Sequence, residues 1–464
     1  MFSKQTYIQR RELLKSKFKT GILLFPGNGE SPMNYADNTY HFRQDSSFLY
    51  YFGLAVPNLV GLIDIDEHKD YIFGKDYSID DIIWMGTQPK VLELAKRCGV
   101  EYTATLSKLA SVLKKAQTQK RKIHFLPPYR AETKIQLQSW MGIHPEKMQK
   151  QASTKMIEAI VSQRNYKSEE EITEIEKAVN ITVDMHIAAM QMVKPGISEA
   201  QIAAKVHEVA LAGGGNLSFP IIATINGQTL HNHYHGNILD KGQMLLLDAG
   251  AETPMGYGGD LSSTIPVDLK FSSKQKQIYE IALAGHQAAI EALQPGVRFE
   301  DIHLLAAKTM ATGLKELGLM QGNIDDAIIS GAHALFFPCG LGHMMGLDIH
   351  DMENLGEVYV GYGGRAKSTQ FGLKSLRLGR ELEAGFVLTI EPGIYFIPEL
   401  IDLWKAEKRH TDFLNYDKIE EYRDFGGIRN EEDFLILETG HRLLGKPKPK
   451  TIEDVENERA KPRI

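Results

Sequence analysis

At 464 residues the chain is longer than one hydrophobic core usually supports, so two domains are expected. Hydrophobic residues make up 43% and charged residues 24%, the mix of a folded protein whose core needs no disulfide or metal staples. The net charge of −6, with signs interspersed, excludes the clustered basic face that nucleic acids require, and no run nears 18 apolar residues, so no segment is expected to span a membrane.

The basic N-terminus, MFSKQTYIQRRELLKSKFK, lacks the apolar stretch of a signal peptide. With only two cysteines, Cys98 and Cys339, far apart in the chain, this points to a reducing compartment, and the cytoplasm is the expected location. Residues 21–26 read as a buried strand closed by a Pro-Gly-Asn-Gly turn. Residues 59–64 and 71–73 read as hairpin arms around residues 66–69. Residues 91–115 carry helical patterning, and the alternation makes residues 1–164 an α/β domain.

Beyond a boundary near Arg164, Ser168 and Glu171 form a capping box. An apolar helical stripe follows: Ile172, Ile175, Val179, Val183, His186 and Met190. His186 reads as a partly buried structural histidine. Pro195–Gly196 stops that helix, and Ser198 with Gln201 caps the next. One hundred residues on, Leu293–Gln294–Pro295–Gly296–Val297 echoes Val193–Lys194–Pro195–Gly196–Ile197. Residues 165–464 are therefore expected to hold two related α/β halves, with a ligand site where they meet. The Lys-rich runs at 114–122 and 446–450 read as solvated surface.

The chemistry-bearing residues each stand at the end of an expected strand. Met244–Leu245–Leu246–Leu247 runs into Asp248, and Asp260 leads into Leu261–Ser262–Ser263–Thr264–Ile265 as the second arm of a hairpin. Cys339–Gly340–Leu341–Gly342–His343 follows, with His350 seven positions later. Val387–Leu388–Thr389–Ile390 runs into Glu391, and Gly426–Gly427–Ile428–Arg429 precedes Glu431. Taken singly, each reads as an ordinary turn or core residue. Buried together without metal, four carboxylates would repel and protonate. With one imidazole they form a hard, oxygen-rich set that suits Mn²⁺ and tolerates Co²⁺, Fe²⁺ or Zn²⁺.

In this order and wording the motifs resemble the Xaa-Pro branch of the pita-bread metallopeptidases, the group that contains aminopeptidase P and prolidase. The resemblance covers nearly the whole chain, including Phe42–Arg43–Gln44–Asp45–Ser46–Ser47–Phe48. It implies an N-terminal α/β domain over 1–164 and a C-terminal pita-bread catalytic domain over 165–464. It implies two divalent cations held by Asp248, Asp260, His343, Glu391 and Glu431, the two-residue offset from Arg429 selecting Glu431 over Glu432. His231 and His350 match catalytic histidines, Glu391 matches the proton carrier, and Arg429 matches an arginine that orients the ligands. His233 and His235 read as loop polar residues or weak substrate contacts. The implied substrates are peptides with proline in second position, and relatives of this kind assemble as homodimers or homotetramers.

Two features bear on specificity. Cys339 stands where the family commonly has histidine, either as a silent small residue or as an oxidisable thiol beside the site. Ser375–Leu376–Arg377 resembles a prolidase strip whose arginine grips a dipeptide carboxylate, although Arg377 reads equally as half of a surface ion pair. Aminopeptidase and dipeptidase both remain open. The alternative from another class is a pita-bread binding module that has lost its metals.

Overall fold

Short apolar runs become strands here wherever neighbouring chain covers them. In a computed structural model, which describes residues 1–461, the chain divides into two units. One comprises Met1–Arg164 with Met352–Tyr359, the other Asn165–Asp351 with the chain from Val360 onward. In the first unit β1 (Ile22–Pro26) lies antiparallel to β2 (Val60–Asp64), which continues antiparallel into β3 (Lys69–Phe73). β4 (Tyr102–Ala104) and β5 (Ile123–His124) add parallel edges, giving the order β4-β3-β2-β1-β5. Ile22, Leu24, Leu62 and Phe73 pack against Leu109 and Leu113 as its core.

One expectation over this stretch is corrected. Residues 91–115 are not one helix but two, Val91–Arg97 and Leu106–Thr118, with β4 between them. Gly99 at φ +74° ends the first turn-run in a left-handed conformation, and Tyr102–Thr103 are strand formers that pair with β3.

The second unit opens with α1 (Glu169–Met192). Ser168 Oγ accepts from Glu171 N while Glu171 Oε2 accepts from Ser168 N at 3.0 Å, so both orphan amides are met. α2 (Glu199–Ala212) packs beside it. β6 (Ile222–Thr224), β7 (Met244–Ala249) and β8 (Leu261–Pro266) form an antiparallel sheet in the order β8-β7-β6. α3 (Ser273–Glu291) and α4 (Phe299–Glu316) then repeat the helix pair. β9 (Val387–Ile390), the ribbon of β10 (Gly393–Tyr395) and β11 (Gly427–Arg429), and β12 (Glu432–Ile436) with β13 (His441–Leu443) complete the strands; the second sheet runs β9-β12-β13.

The two Pro-Gly turns occupy equivalent places. Gly196 N donates to Leu239 O and Gly296 N to Leu382 O, both at 2.8 Å, and each partner donates back to Ile197 O or Val297 O. The glycines sit at φ +86° and +83°. Matching hydrogen bonds at matching positions are what two related halves require.

The tail is built in. α5 (Ile452–Ala460) carries Arg459, whose guanidinium donates to Pro266 O, Met190 O and Val267 O at 2.8–3.1 Å. The run at 446–450 is accordingly not all solvated surface: Lys446 is exposed and pairs with Asp184, but Lys448 is buried. His186 is wholly buried, not partly. Among the described residues no helix is long and apolar enough to cross a membrane, and both cysteines are free.

His303 and His333 lie buried behind the segment that leads to Cys339, His303 stacking on Phe337 with ring centroids 5.0 Å apart. Burial first, then His333's charge, lowers His303 from 6.5 to about 3; burial, then His410, lowers His333 to about 4. A histidine depressed in the folded state stabilises fully above its unfolded value of 6.5 and loses that contribution as pH falls towards 3–4. Acidification to about pH 5 should therefore cost about 2 kcal/mol per histidine. In urea titrations His303→Phe should flatten the stability loss between neutral pH and about pH 5; an unchanged slope would contradict this.

Candidate active site

Each carboxylate is placed by strand pairing. Asp248 stands opposite Ser262 in the β7–β8 register, so Asp260 emerges two residues before that pair. Gly250 is required in this hairpin, because a Cβ there would lie 1.9 Å from Gly259 O. Glu391 directly follows β9, and its N–H donates to Leu341 O at 2.7 Å. Thr389 on β9 also accepts from and donates to the His343 backbone, at 3.2 and 3.0 Å. That approach needs Gly342, where a Cβ would meet Thr389 O at 2.0 Å. Glu431 sits between β11 and β12, its N–H on Ser262 O. Alternation along the strand sends Glu432 the other way, where Lys450 pairs with it.

The side chains converge. Ligand-capable atoms of Asp260, His343 and Glu431 all lie within 4.8 Å of one another, and all three residues are buried. His343 Nε2 is 3.5 Å from Asp260 Oδ2 and 3.5 Å from Glu391 Oε1. His343 Nδ1 lies 3.1 Å from Met344 O, and a carbonyl accepts only, so Nδ1 carries the hydrogen and Nε2 presents a lone pair to the carboxylates. Asp248 joins through Arg429, whose Nη2 donates to Asp248 Oδ2 at 2.6 Å. Arg429 Nε donates to Ser262 Oγ at 2.9 Å, and Ser262 passes its own hydrogen to Glu431 Oε2 at 2.7 Å. Tyr395 Oη accepts from Arg429 Nη1 at 2.9 Å.

This arrangement is electrostatically strained without cations. Burial, then Asp248's charge, raises Asp260. Burial, then Asp260, Glu391 and Asp248, raises Glu431 well above the usual carboxylate range. Glu391 is raised by burial against the opposing pull of His343 and Arg429. Asp260 Oδ1 is buried and accepts no hydrogen bond. Oxygen donors in excess of protons, an imidazole lone pair facing the carboxylates and one orphaned carboxylate oxygen fit divalent cations.

The predicted histidines divide by exposure. His350 packs edge-on against His343, ring centroids 4.3 Å apart. His231 is exposed; partial desolvation, then the charge of Arg429, lowers its pKa, with Arg377 and His350 adding and Asp248 opposing. Arg377 is thereby within electrostatic reach of His231. His235 Nε2 bonds Ile221 O at 3.1 Å and so serves its own loop, while His233 is exposed. Cys339 packs against the cluster of Ile222, Leu246 and Tyr395, 4.0 Å from Tyr395 Oη. Burial, with Glu391 adding, pushes its thiol up to about 12, which favours the protonated form. Ser262 and Tyr395 escaped the sequence reading; the signal for Ser262 was three consecutive hydroxyl residues inside a strand that is buried throughout.

Two family models match the chain: metallopeptidase family M24 over residues 173–438, and the aminopeptidase P N-terminal domain over residues 7–124. The chain is 29% identical to a human Xaa-Pro dipeptidase, across 94% of this chain and 88% of that one. It is 31% identical to a probable Xaa-Pro aminopeptidase of Sordaria macrospora, across 94% and 91%. Proline aminopeptidase P II from Yersinia pestis superposes with a TM-score of 0.81 at 27% identity, across 99% of this chain and 100% of that one. The buried Asp260–His343–Glu431 cluster falls inside the segment that the family model matches, and the chain belongs to metallopeptidase family M24.

Proposed function

We propose that the chain is a metal-dependent exopeptidase that hydrolyses the bond between an N-terminal residue and a following proline. The observation that carries this is the buried Asp260–His343–Glu431 group, with Glu391 and the Arg429-tethered Asp248 beside it. Those five residues would hold two divalent cations, and Mn²⁺ suits their oxygen-rich set, with Co²⁺, Fe²⁺ or Zn²⁺ as substitutes. When bound, such a pair supplies Lewis-acid polarisation of the scissile carbonyl and a water acidified towards pH 7.

The chain's own residues do the rest. Glu391, its carboxyl raised by burial, accepts the water proton at Oε1 or Oε2 and delivers it to the departing proline nitrogen. His231, kept neutral by its lowered pKa, offers an N–H to the developing oxyanion without adding a cation. His350 lies on the His343 side and serves the same oxygen. Arg429 restrains Asp248 and, through Ser262, Glu431, so the carboxylates need not reorganise.

Arg377's influence on His231 supports its placement at the C-terminal carboxylate of a dipeptide, where a bidentate pair favours short substrates. The longer-peptide aminopeptidase is the second reading, favoured by the Sordaria relative's name. Self-association into dimers or tetramers is supported by helix Ile79–Met85, which buries none of its residues and leaves Trp84 85% exposed. The free, protonated cysteines fit a reducing cytoplasm.

Asp260→Asn should abolish Mn²⁺ binding in calorimetric titration. It should also raise the melting temperature of the metal-free protein, because one of several repelling buried carboxylates is gone. A variant that binds Mn²⁺ as the parent does contradicts the ligand assignment, and a parent without bound metal favours the binding module. Assayed with Mn²⁺, the protein should cleave Gly-Pro and leave Gly-Pro-Ala intact, and Arg377→Ala should raise KM for Gly-Pro about 10- to 100-fold. Cleavage of both peptides selects the aminopeptidase reading, and cleavage of neither sinks the peptidase.

A further inference from the structure

Behind the β7–β8 ribbon lies a buried cation that the proposed chemistry leaves unused. Lys448 stands in the tail between β13 and α5, with 4% of its surface exposed. Its Nζ donates to Ser262 O at 2.7 Å and to Ser263 Oγ at 3.0 Å. Ser263 Oγ lies 2.9 Å from His186 Nδ1, and His186 Nε2 lies 3.1 Å from Ala249 O.

The direction of these bonds is fixed by chemistry. Ala249 O only accepts, so His186 Nε2 carries the hydrogen and Nδ1 is the acceptor. Ser263 must then give its hydroxyl hydrogen to His186, which leaves its oxygen lone pair for Lys448. Donation runs one way, from Lys448 through Ser263 and His186 to Ala249. Burial, then Lys448's charge, lowers His186 to about 3, which keeps Nδ1 an acceptor.

Both ends of this relay adjoin an aspartate of the site. Ala249 is the residue after Asp248, and Ser262 is two beyond Asp260. Alternation along β8 turns Ser262 Oγ towards Arg429 and Glu431, and Ser263 Oγ to the opposite face. Ser262 O receives both Lys448 and the N–H of Glu431. A buried ammonium is costly unless fully hydrogen-bonded and balanced. Burial pulls Lys448 down to about 8, while Glu432, Glu431 and Asp433 sustain its charge and Lys450 opposes it.

We propose that the Lys448–Ser263–His186 relay is a positioning device for the cation site, fixing the separation of Asp248 and Asp260 from behind without touching an ion. The proposal rests on the reading of those aspartates as cation ligands. Lys448, Ser263 and His186 are positioning residues throughout.

The test is calorimetric titration of Mn²⁺ into the metal-stripped full chain, for the parent, Asp260→Asn, Lys448→Met, Ser263→Ala and the Lys448→Met/Ser263→Ala double variant. Lys448→Met and Ser263→Ala should each weaken Mn²⁺ binding about 10- to 100-fold. The double variant should bind no more weakly than Lys448→Met alone, since both break one chain. A lysine that merely supports the fold would lower the melting temperature and leave Mn²⁺ affinity at the parent's value, which overturns the relay. Should Lys448→Met fail to fold, Ser263→Ala removes a single oxygen, and parental affinity in that variant overturns the relay by itself. A parent that binds no Mn²⁺, or Asp260→Asn that binds like the parent, overturns the ligand assignment and the relay with it. A binding parent with both relay variants unchanged overturns the relay only.

Discussion

Four carboxylates gathered in one buried space repel each other, and that repulsion organises the rest of the catalytic unit. Burial raises the proton affinity of Asp260, Glu391 and Glu431, and the charge of Asp248 adds to it at each. Among the described residues Arg429, on Asp248, is the only Arg or Lys side chain bonded directly to any of them, and divalent ions would balance the set. The fold holds the acids in place ahead of any ion, at the ends of hydrogen-bonded strands from which they cannot swing away.

The scaffold achieves this by sharing atoms between supports. Ser262 serves Arg429 and Glu431 with its hydroxyl and Glu431 and Lys448 with its carbonyl. Thr389 fixes His343 from the same strand that presents Glu391. A displacement at either residue would move two site residues at once. Tyr395 closes the arrangement on the far side of Arg429, and Cys339 packs behind it. Of the three histidines His231, His343 and His350, His231 is the exposed one.

Much of this was legible in the sequence, for local reasons. Capping boxes at Ser168 and Ser198 are decided within four residues, and both formed. The Pro-Gly echo announced related halves because the same turn needs the same glycine, and the two turns share their hydrogen bonds. The meeting of Asp260, His343 and Glu431 was implied by the motifs' resemblance to a family, and His343, expected at a strand end, lies instead in a loop beside β9. What escaped depends on tertiary placement. The stretch 91–115 kept helical periodicity across a break that Gly99 and the edge of a sheet impose. Lys448, in a Lys-Pro-Lys-Pro-Lys tail, carries no local sign that chain almost two hundred residues earlier will bury it. His186 looked like one more member of an apolar stripe, since periodicity reports the face and not the partner.

The central claim is that these acids exist to hold a pair of ions. Anomalous diffraction from crystals of the Mn²⁺-loaded protein tests it most directly. The account predicts two peaks within the cluster of Asp248, Asp260, His343, Glu391 and Glu431. A single peak elsewhere on the surface, or no peak with the carboxylates still clustered, would contradict it.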